Sequence, residues 1–406
     1  MACPGLHGLR LTRRRRRRFS RSYSAAGRVF SLATACYAPG PDARSGSVAL
    51  RSSRTFAVVA VLLAAVLTSP GAESRLLEPV EPASYLGPTW SPEGRRLAFL
   101  ERRPGGPALL RVANVAGTTS RVVAGAPGIA EVRWAPRGNV LAYSSTDAYA
   151  RPPPYYVAVV EAGGAGQETL TLGVDIDWAP DGKQLAFVGP LLGREFVGPL
   201  AGGAIRTMTV DGRQRRLLTQ HEYNSDPAWA PDGRVIAFTR SLSRDGGEQL
   251  YLAPSVGGRL RPLAFRHSCC PSWSPDGGRL VFVGRPRPNS DRTALYVIRR
   301  DGRHERRITP SYPPERAFRS PEWSPRGTQI LFVRSTAPGR YSIGLARPDG
   351  RIRYLGRGHE AEWSPNGRAI AFTDNCADGA SAVFVMNANG SGRRPITPCA
   401  ARPRTP

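Results

Sequence analysis

Hydrophobic and polar residues alternate along this chain in short runs, and the same polar turn interrupts them again and again. The clearest stretch reads Trp273, Ser274, Pro275, Asp276, Gly277, Gly278, Arg279, Leu280, Val281, Phe282. A strand ends at the tryptophan. A turn follows, with proline at a corner that requires φ near −65° and glycine where φ is often positive, and then a second strand begins. Leu280 and Phe282 fall on one face of that second strand, because side chains alternate with period two. A third apolar run, such as Leu295–Ile298 or Val383–Met386, leads into a small turn at Asp301-Gly302 or Asn389-Gly390. A short fourth run follows, such as Arg307–Thr309 or Arg216–Leu218. The pattern predicts units of four antiparallel strands.

Seven copies of the phrase start at Trp90, Trp134, Trp178, Trp229, Trp273, Trp323 and Trp363, which uses every tryptophan in the chain. In each copy Pro stands two residues after Trp, Gly four after, Leu or Ile seven after, and Phe or Tyr nine after. The steps between tryptophans are 44, 44, 51, 44, 50 and 40 residues, the period of a four-stranded propeller blade. One blade cannot bury both of its faces alone. The expected fold is therefore all-β, a seven-bladed β-propeller in which Trp and Phe fill the spaces between neighbouring blades.

Residues 1–74 contain no copy and read as a leader. They hold an arginine run, Arg13 to Arg18, and then Arg51 and Arg54 ahead of an apolar stretch from Phe56 to Leu67, with Ser69, Pro70, Gly71 and Ala72 behind it. That is the layout of a secretory signal peptide. Twelve apolar residues rise only about 18 Å as a helix, short of a bilayer core of about 30 Å, so no transmembrane helix is expected in the mature chain. The charged region of such signals is short, which suggests a true start nearer Val48. The propeller is assigned to residues 75–398 and a tail to 399–406. Arg75, Leu76 and Leu77 resemble a fourth strand and either add an edge strand to the last blade or form part of a linker.

The formal charge is +26, and Lys183 is the one lysine among 57 basic residues. So lopsided a ratio, with abundant Ala, Gly and Pro, points first to a genome rich in G and C. The leader holds twelve arginines and two acids, so the body keeps 45 basic and 29 acidic groups and is basic in its own right.

The phrase Trp-Ser-Pro-Asp-Gly, followed by Leu/Ile-Ala-Phe, an apolar strand and Asp-Gly, resembles the WD40-like repeat of TolB-type β-propellers. The resemblance covers residues 86–398. It implies a propeller outside the cytoplasm, in the periplasm, the cell envelope or secreted, that works by binding proteins or envelope components. TolB proper has an α/β domain before a six-bladed propeller, whereas this chain lacks that domain and shows seven copies. The role of TolB toward its Pal partner is therefore not carried over. Similar repeats occur in prolyl-oligopeptidase-like peptidases, but no hydrolase domain and no Gly-x-Ser-x-Gly elbow appears here.

Propeller topology assigns loops to faces. Loops joining first to second and third to fourth strands share one face, and the remaining loops share the other. The long insertions Gly189–Gly203, Gly284–Arg292 and Pro310–Arg319 all belong to the second face, where binding is expected, with Tyr223, Tyr312 and Phe318 as aromatic contacts. The residues before each tryptophan enter the innermost strand, and there stand Glu131, Asp175, Asp177, Asp226, Glu322, Glu360 and Glu362. Carboxylates gathered around one axis concentrate negative potential. Nearby arginines, hydration, or a channel cation such as Ca²⁺ or Mg²⁺ would each answer it. His221, His267 and His359 enter the same face.

On the opposite face Arg213, Arg215, Arg216, Arg259, Arg261, Arg303, Arg306, Arg307, Arg351, Arg353, Arg393 and Arg394 sit in the turn before the fourth strand or on it. Charge at an outer sheet edge discourages sheet-to-sheet pairing, and it would also attract anionic envelope polymers. Nucleic acid is not an expected partner of an exported protein. Cys376 and Cys399 fall on one face of the last blade and are expected to be bonded. Cys269 and Cys270 are adjacent, with His267 close by. A vicinal disulfide, two buried thiols and a metal or redox site all fit them.

No spacing resembles a zinc helix, a nucleophile elbow or a phosphate loop. The expected function is an exported, monomeric, non-catalytic interaction scaffold. The alternative is a propeller-type lyase or hydrolase acting on polysaccharide or peptide through channel-facing His and carboxylates.

Overall fold

The computed structural model describes residues 82–146, 154–191, 203–221, 223–242, 247–264, 267–287 and 290–399. The leader and Arg75–Leu77 lie outside the described residues. Strands β1–β28 form seven four-stranded antiparallel sheets in chain order, each strand pairing with the next. Blade 1 is β1 (Ser84–Trp90), β2 (Arg96–Arg102), β3 (Ala108–Asn114) and β4 (Ser120–Ala126). The first strands of the other blades are β5 (Gly128–Trp134), β9 (Val174–Trp178), β13 (Asn224–Trp229), β17 (Cys269–Trp273), β21 (Phe318–Trp323) and β25 (His359–Trp363). Neighbouring first strands touch one another all the way round, so they are the innermost. Among the described residues no helix is long and apolar enough to cross a membrane.

The repeated phrase closes each first hairpin by hydrogen bonds. In blade 5 the Ser274 amide donates to the Arg279 carbonyl at 2.9 Å and the Gly277 amide donates back to the Ser274 carbonyl at 2.8 Å. Gly277 has φ +66°, a left-handed conformation that glycine adopts without steric cost. The Ser274 hydroxyl also accepts the Arg279 amide at 2.9 Å; serine follows the tryptophan in four copies, and in the other three alanine leaves the turn to its backbone hydrogen bonds.

Each tryptophan is packed against the preceding blade. Trp134 sits among Leu110, Val112 and Val123 of blade 1, and Trp363 among Leu331, Ile343 and Leu345 of blade 6. The ring closes the same way: Trp90, Leu97 and Phe99 pack on Val383, Val385 and Ile396 of blade 7. Within blade 7 the Cys376–Cys399 disulfide ties the 2–3 loop to the chain just past the last strand. Pro82, Ala83 and Tyr85 of blade 1 lie beside that disulfide.

Two expectations change. Phe318 is not a surface contact: it is 4% exposed, edge-on to Phe332 and Tyr312, and belongs to the packing between blades 5 and 6. The arginines before and on the fourth strands are exposed, but several serve as clasps rather than as a free edge. Arg261 donates to the Arg300 carbonyl, Arg306 to the Asp349 carbonyl at 3.0 Å and Arg353 to the Ala388 carbonyl at 3.3 Å, in each case crossing to the next blade.

Candidate functional site

Every first strand carries a β-bulge shortly before its tryptophan. In six blades the bulge includes the residue three positions ahead of Trp, which is left-handed at Gly87, Asp175, Asp226, Cys270, Ser320 and Glu360, with φ between 44° and 60°; in blade 2 the shift falls between Ile129 and Glu131. A left-handed conformation costs a non-glycine residue about 1–2 kcal/mol. That cost is repeated around the channel, where strain of this kind gathers at functional or positioning sites.

The bulge sets two levels of side chains on the channel wall. Glu131, Asp175, Asp226 and Glu360 stand three before Trp, on the side of the 4–1 loops. Asp177, Glu322 and Glu362 stand one before Trp, deeper in. All seven are half-buried. Many of them hold the next blade in place. Glu362 accepts the Trp90 amide at 3.0 Å, Asp177 the Trp229 amide at 2.6 Å and Glu322 the Trp363 amide at 3.3 Å. At the outer level Glu360 accepts the Gly87 amide at 2.8 Å and Glu131 the Ile176 amide at 3.0 Å. In blade 5 the inner-level place belongs to Ser272, whose hydroxyl accepts the Trp323 amide at 3.4 Å. An acceptor one before Trp thus meets an amide that the bulged strand leaves free.

Sequence reasoning missed Arg133, although it occupies the same position before Trp134 as the inner acids do before theirs. Its guanidinium lies 3.6 Å from Glu131, and about half of its side chain is open to the channel. Burial works against its charge, but Glu131, Glu362, Asp177 and Glu322, drawn from three other blades and its own, hold its pKa above the ordinary arginine value.

The acids themselves are pushed toward neutrality. Desolvation by the surrounding ring, then repulsion from Asp226 and Glu131, raises Asp175 to about 8. Desolvation raises Asp177 to about 6 against the pull of the Trp229 amide. It also raises Glu131, Asp226 and Glu362, and with repulsion from Glu362 added it lifts Glu322 well above the usual range. Water reaches these groups from the channel, yet protein encloses them on every other side, so their charge is poorly solvated.

The histidines are dispersed. His359 Nδ1 is 3.6 Å from Glu360 and its ring leans on Tyr341. His267 packs against Gly247 ahead of β17. His221 is exposed on the loop into β13, where its carbonyl accepts from Asn224 at 2.6 Å. Among the described residues no three His, Cys, Asp or Glu side chains converge to hold one metal ion. A cleft of roughly 230 Å³ lies between blades 6 and 7, lined by Tyr341, Arg357, His359 and Asp374 among others. It falls below the range of about 300–1,000 Å³ of small-molecule sites.

Residues 201–354 match the TolB beta propeller domain family. An uncharacterised protein of Agrobacterium fabrum is 26% identical over 272 residues, covering 62% of this chain and 85% of that protein. The Tol-Pal system protein TolB of Anaeromyxobacter dehalogenans is 33% identical over 99 residues, 24% of this chain, and the chain spans only 22% of that protein. Among solved structures, an oligogalacturonate lyase in complex with manganese superposes with a TM-score of 0.58 at 14% identity, covering 75% of this chain and 89% of the lyase. At that identity the likeness shows the propeller fold alone. The described residues form a seven-bladed propeller, and residues 201–354 of it match the TolB propeller family.

Proposed function

We propose that this TolB-type propeller is a non-catalytic interaction scaffold that docks a partner on its loop-rich face, with a cationic segment of the partner entering the channel mouth. The carrying observation is the double ring of seven channel-wall carboxylates, answered by the guanidinium of Arg133. Asp226 and Glu360 stand at the outer level, nearest the loops, where an arriving basic side chain meets them first. Export, and with it a partner outside the cytoplasm, is part of this proposal and is supported by the apolar stretch from Phe56 to Leu67 behind Arg51 and Arg54.

The net charge makes the test sharp. A body with 45 basic and 29 acidic groups attracts anions non-specifically and repels cations, so binding of a cation reports the channel and not the general field. Labelled oligo-arginine, oligo-glutamate and neutral peptides are compared by fluorescence polarisation. Oligo-arginine should bind, bind less at high salt, and bind several-fold less to Asp226→Asn and Glu360→Gln. Binding of the acidic peptide alone, or turnover of a polyuronate or peptide substrate, would overturn this reading.

A further inference from the structure

Two adjacent residues of a regular strand point to opposite faces, so neighbouring cysteines in a sheet do not meet. Blade 5 breaks that rule. The bulge that elsewhere presents Asp175, Asp226 or Glu360 presents Cys270 there, at φ +60°, and so places its sulfur beside that of Cys269. The two Sγ atoms are 2.6 Å apart. Both residues are half-buried and rest against the apolar packing around Val281, Val283 and Phe318. The Cys270 amide is held by the Thr239 hydroxyl of blade 4 at 3.3 Å, which fixes the bulge from the neighbouring blade.

We propose that Cys269 and Cys270 form a reversible dithiol–disulfide site on the channel wall, with a small-molecule or protein disulfide as co-reactant. In the forward step one thiolate attacks the external disulfide and forms a mixed disulfide, releasing one thiol. The neighbouring sulfur then displaces the second thiol and closes a ring within the dipeptide. Two S–H bonds and one external S–S bond are broken. One internal S–S bond and two external S–H bonds form, so two electrons and two protons pass to the co-reactant.

The surroundings make the first attack the slow step. Although its hydrogen bond with Cys270 works the other way, burial near Glu248 and Asp226 holds the Cys269 thiol above its ordinary value. The hydrogen bond to Cys269, and burial, hold Cys270 well above. The reduced pair is therefore protonated at neutral pH and reacts slowly until one sulfur is engaged, after which ring closure is intramolecular. Cys376–Cys399 serves a different purpose, fastening the end of blade 7 to its own 2–3 loop.

The full chain is equilibrated with mixtures of reduced and oxidised glutathione, quenched in acid, alkylated and cleaved after arginine. The His267–Arg279 peptide carries both cysteines and neither Cys376 nor Cys399. In oxidised mixtures it should appear lighter by two hydrogen atoms and free of glutathione. It should return to the doubly alkylated form in reduced mixtures that leave Cys376–Cys399 bonded. Cys270→Ser should instead retain glutathione on Cys269, because nothing displaces it. A wild-type peptide that stays doubly alkylated in every mixture, or that accumulates a glutathione adduct as the variant does, overturns the proposal.

Discussion

Asp175 offers the most direct measurement of what the channel costs the fold. Its carboxyl is raised from 3.8 to about 8 by burial and by Asp226 and Glu131. Because the folded value lies above the unfolded one, the native state takes up a proton on folding. The associated stability is present below about pH 4 and is lost as the pH rises through about 8. At about 1.4 kcal/mol per pKa unit the shift sets a ceiling of about 6 kcal/mol at pH 8. Channel water and sharing of the proton with Asp226 and Glu131 reduce this, and we expect about 2 kcal/mol, or about 4 °C in Tm. Asp175→Asn isolates the effect, since the amide keeps an acceptor and Asn tolerates the left-handed φ of 51°. Thermal melts of both proteins between pH 4 and pH 8 should show equal Tm at the acid end and a growing advantage for the variant toward pH 8. A variant less stable than wild type at pH 8, or an advantage independent of pH, would refute the linkage.

Other expectations follow from single contacts. Arg133→Met removes the guanidinium that faces Glu131, Glu362, Asp177 and Glu322, and should lower stability at pH 7.5 by about 1–2 kcal/mol after allowance for its half-open position, with partial rescue by salt. Trp363→Ala empties a site between blades 6 and 7 and should cost about 3–5 kcal/mol in a denaturant titration. Cys376→Ser should lose about 3 kcal/mol on the loop-closure estimate, and wild type treated with reductant should fall to the same midpoint. Calcium added to wild type should leave the melting temperature unchanged, because Arg133 already stands among the inner acids; a rise that chelator reverses would show that a cation belongs there.

The repeat by itself determined blade number, strand order and the assignment of loops to faces. Those depend on local turn chemistry and on period-two burial, and Trp, Pro, Gly and Phe at fixed spacings carry both. The same register placed Glu131, Asp175, Asp177, Asp226, Glu322, Glu360 and Glu362 on the innermost strand, and the ends of the last blade placed Cys376 near Cys399. The tertiary structure alone decided what those acids do. Their acceptors meet amides 41 to 52 residues onward, or across the closing seam from Glu362 to Trp90, and no local pattern announces a partner on another blade. Arg133 shows the limit well: its position was legible, but its charge matters only because ring closure brings Glu322 and Glu362 to face it. The bulge was equally hidden, since a strand read from sequence is taken to alternate without interruption. It is that bulge, made by packing each first strand into a narrow ring, that sets the two levels of carboxylates and turns Cys270 toward Cys269.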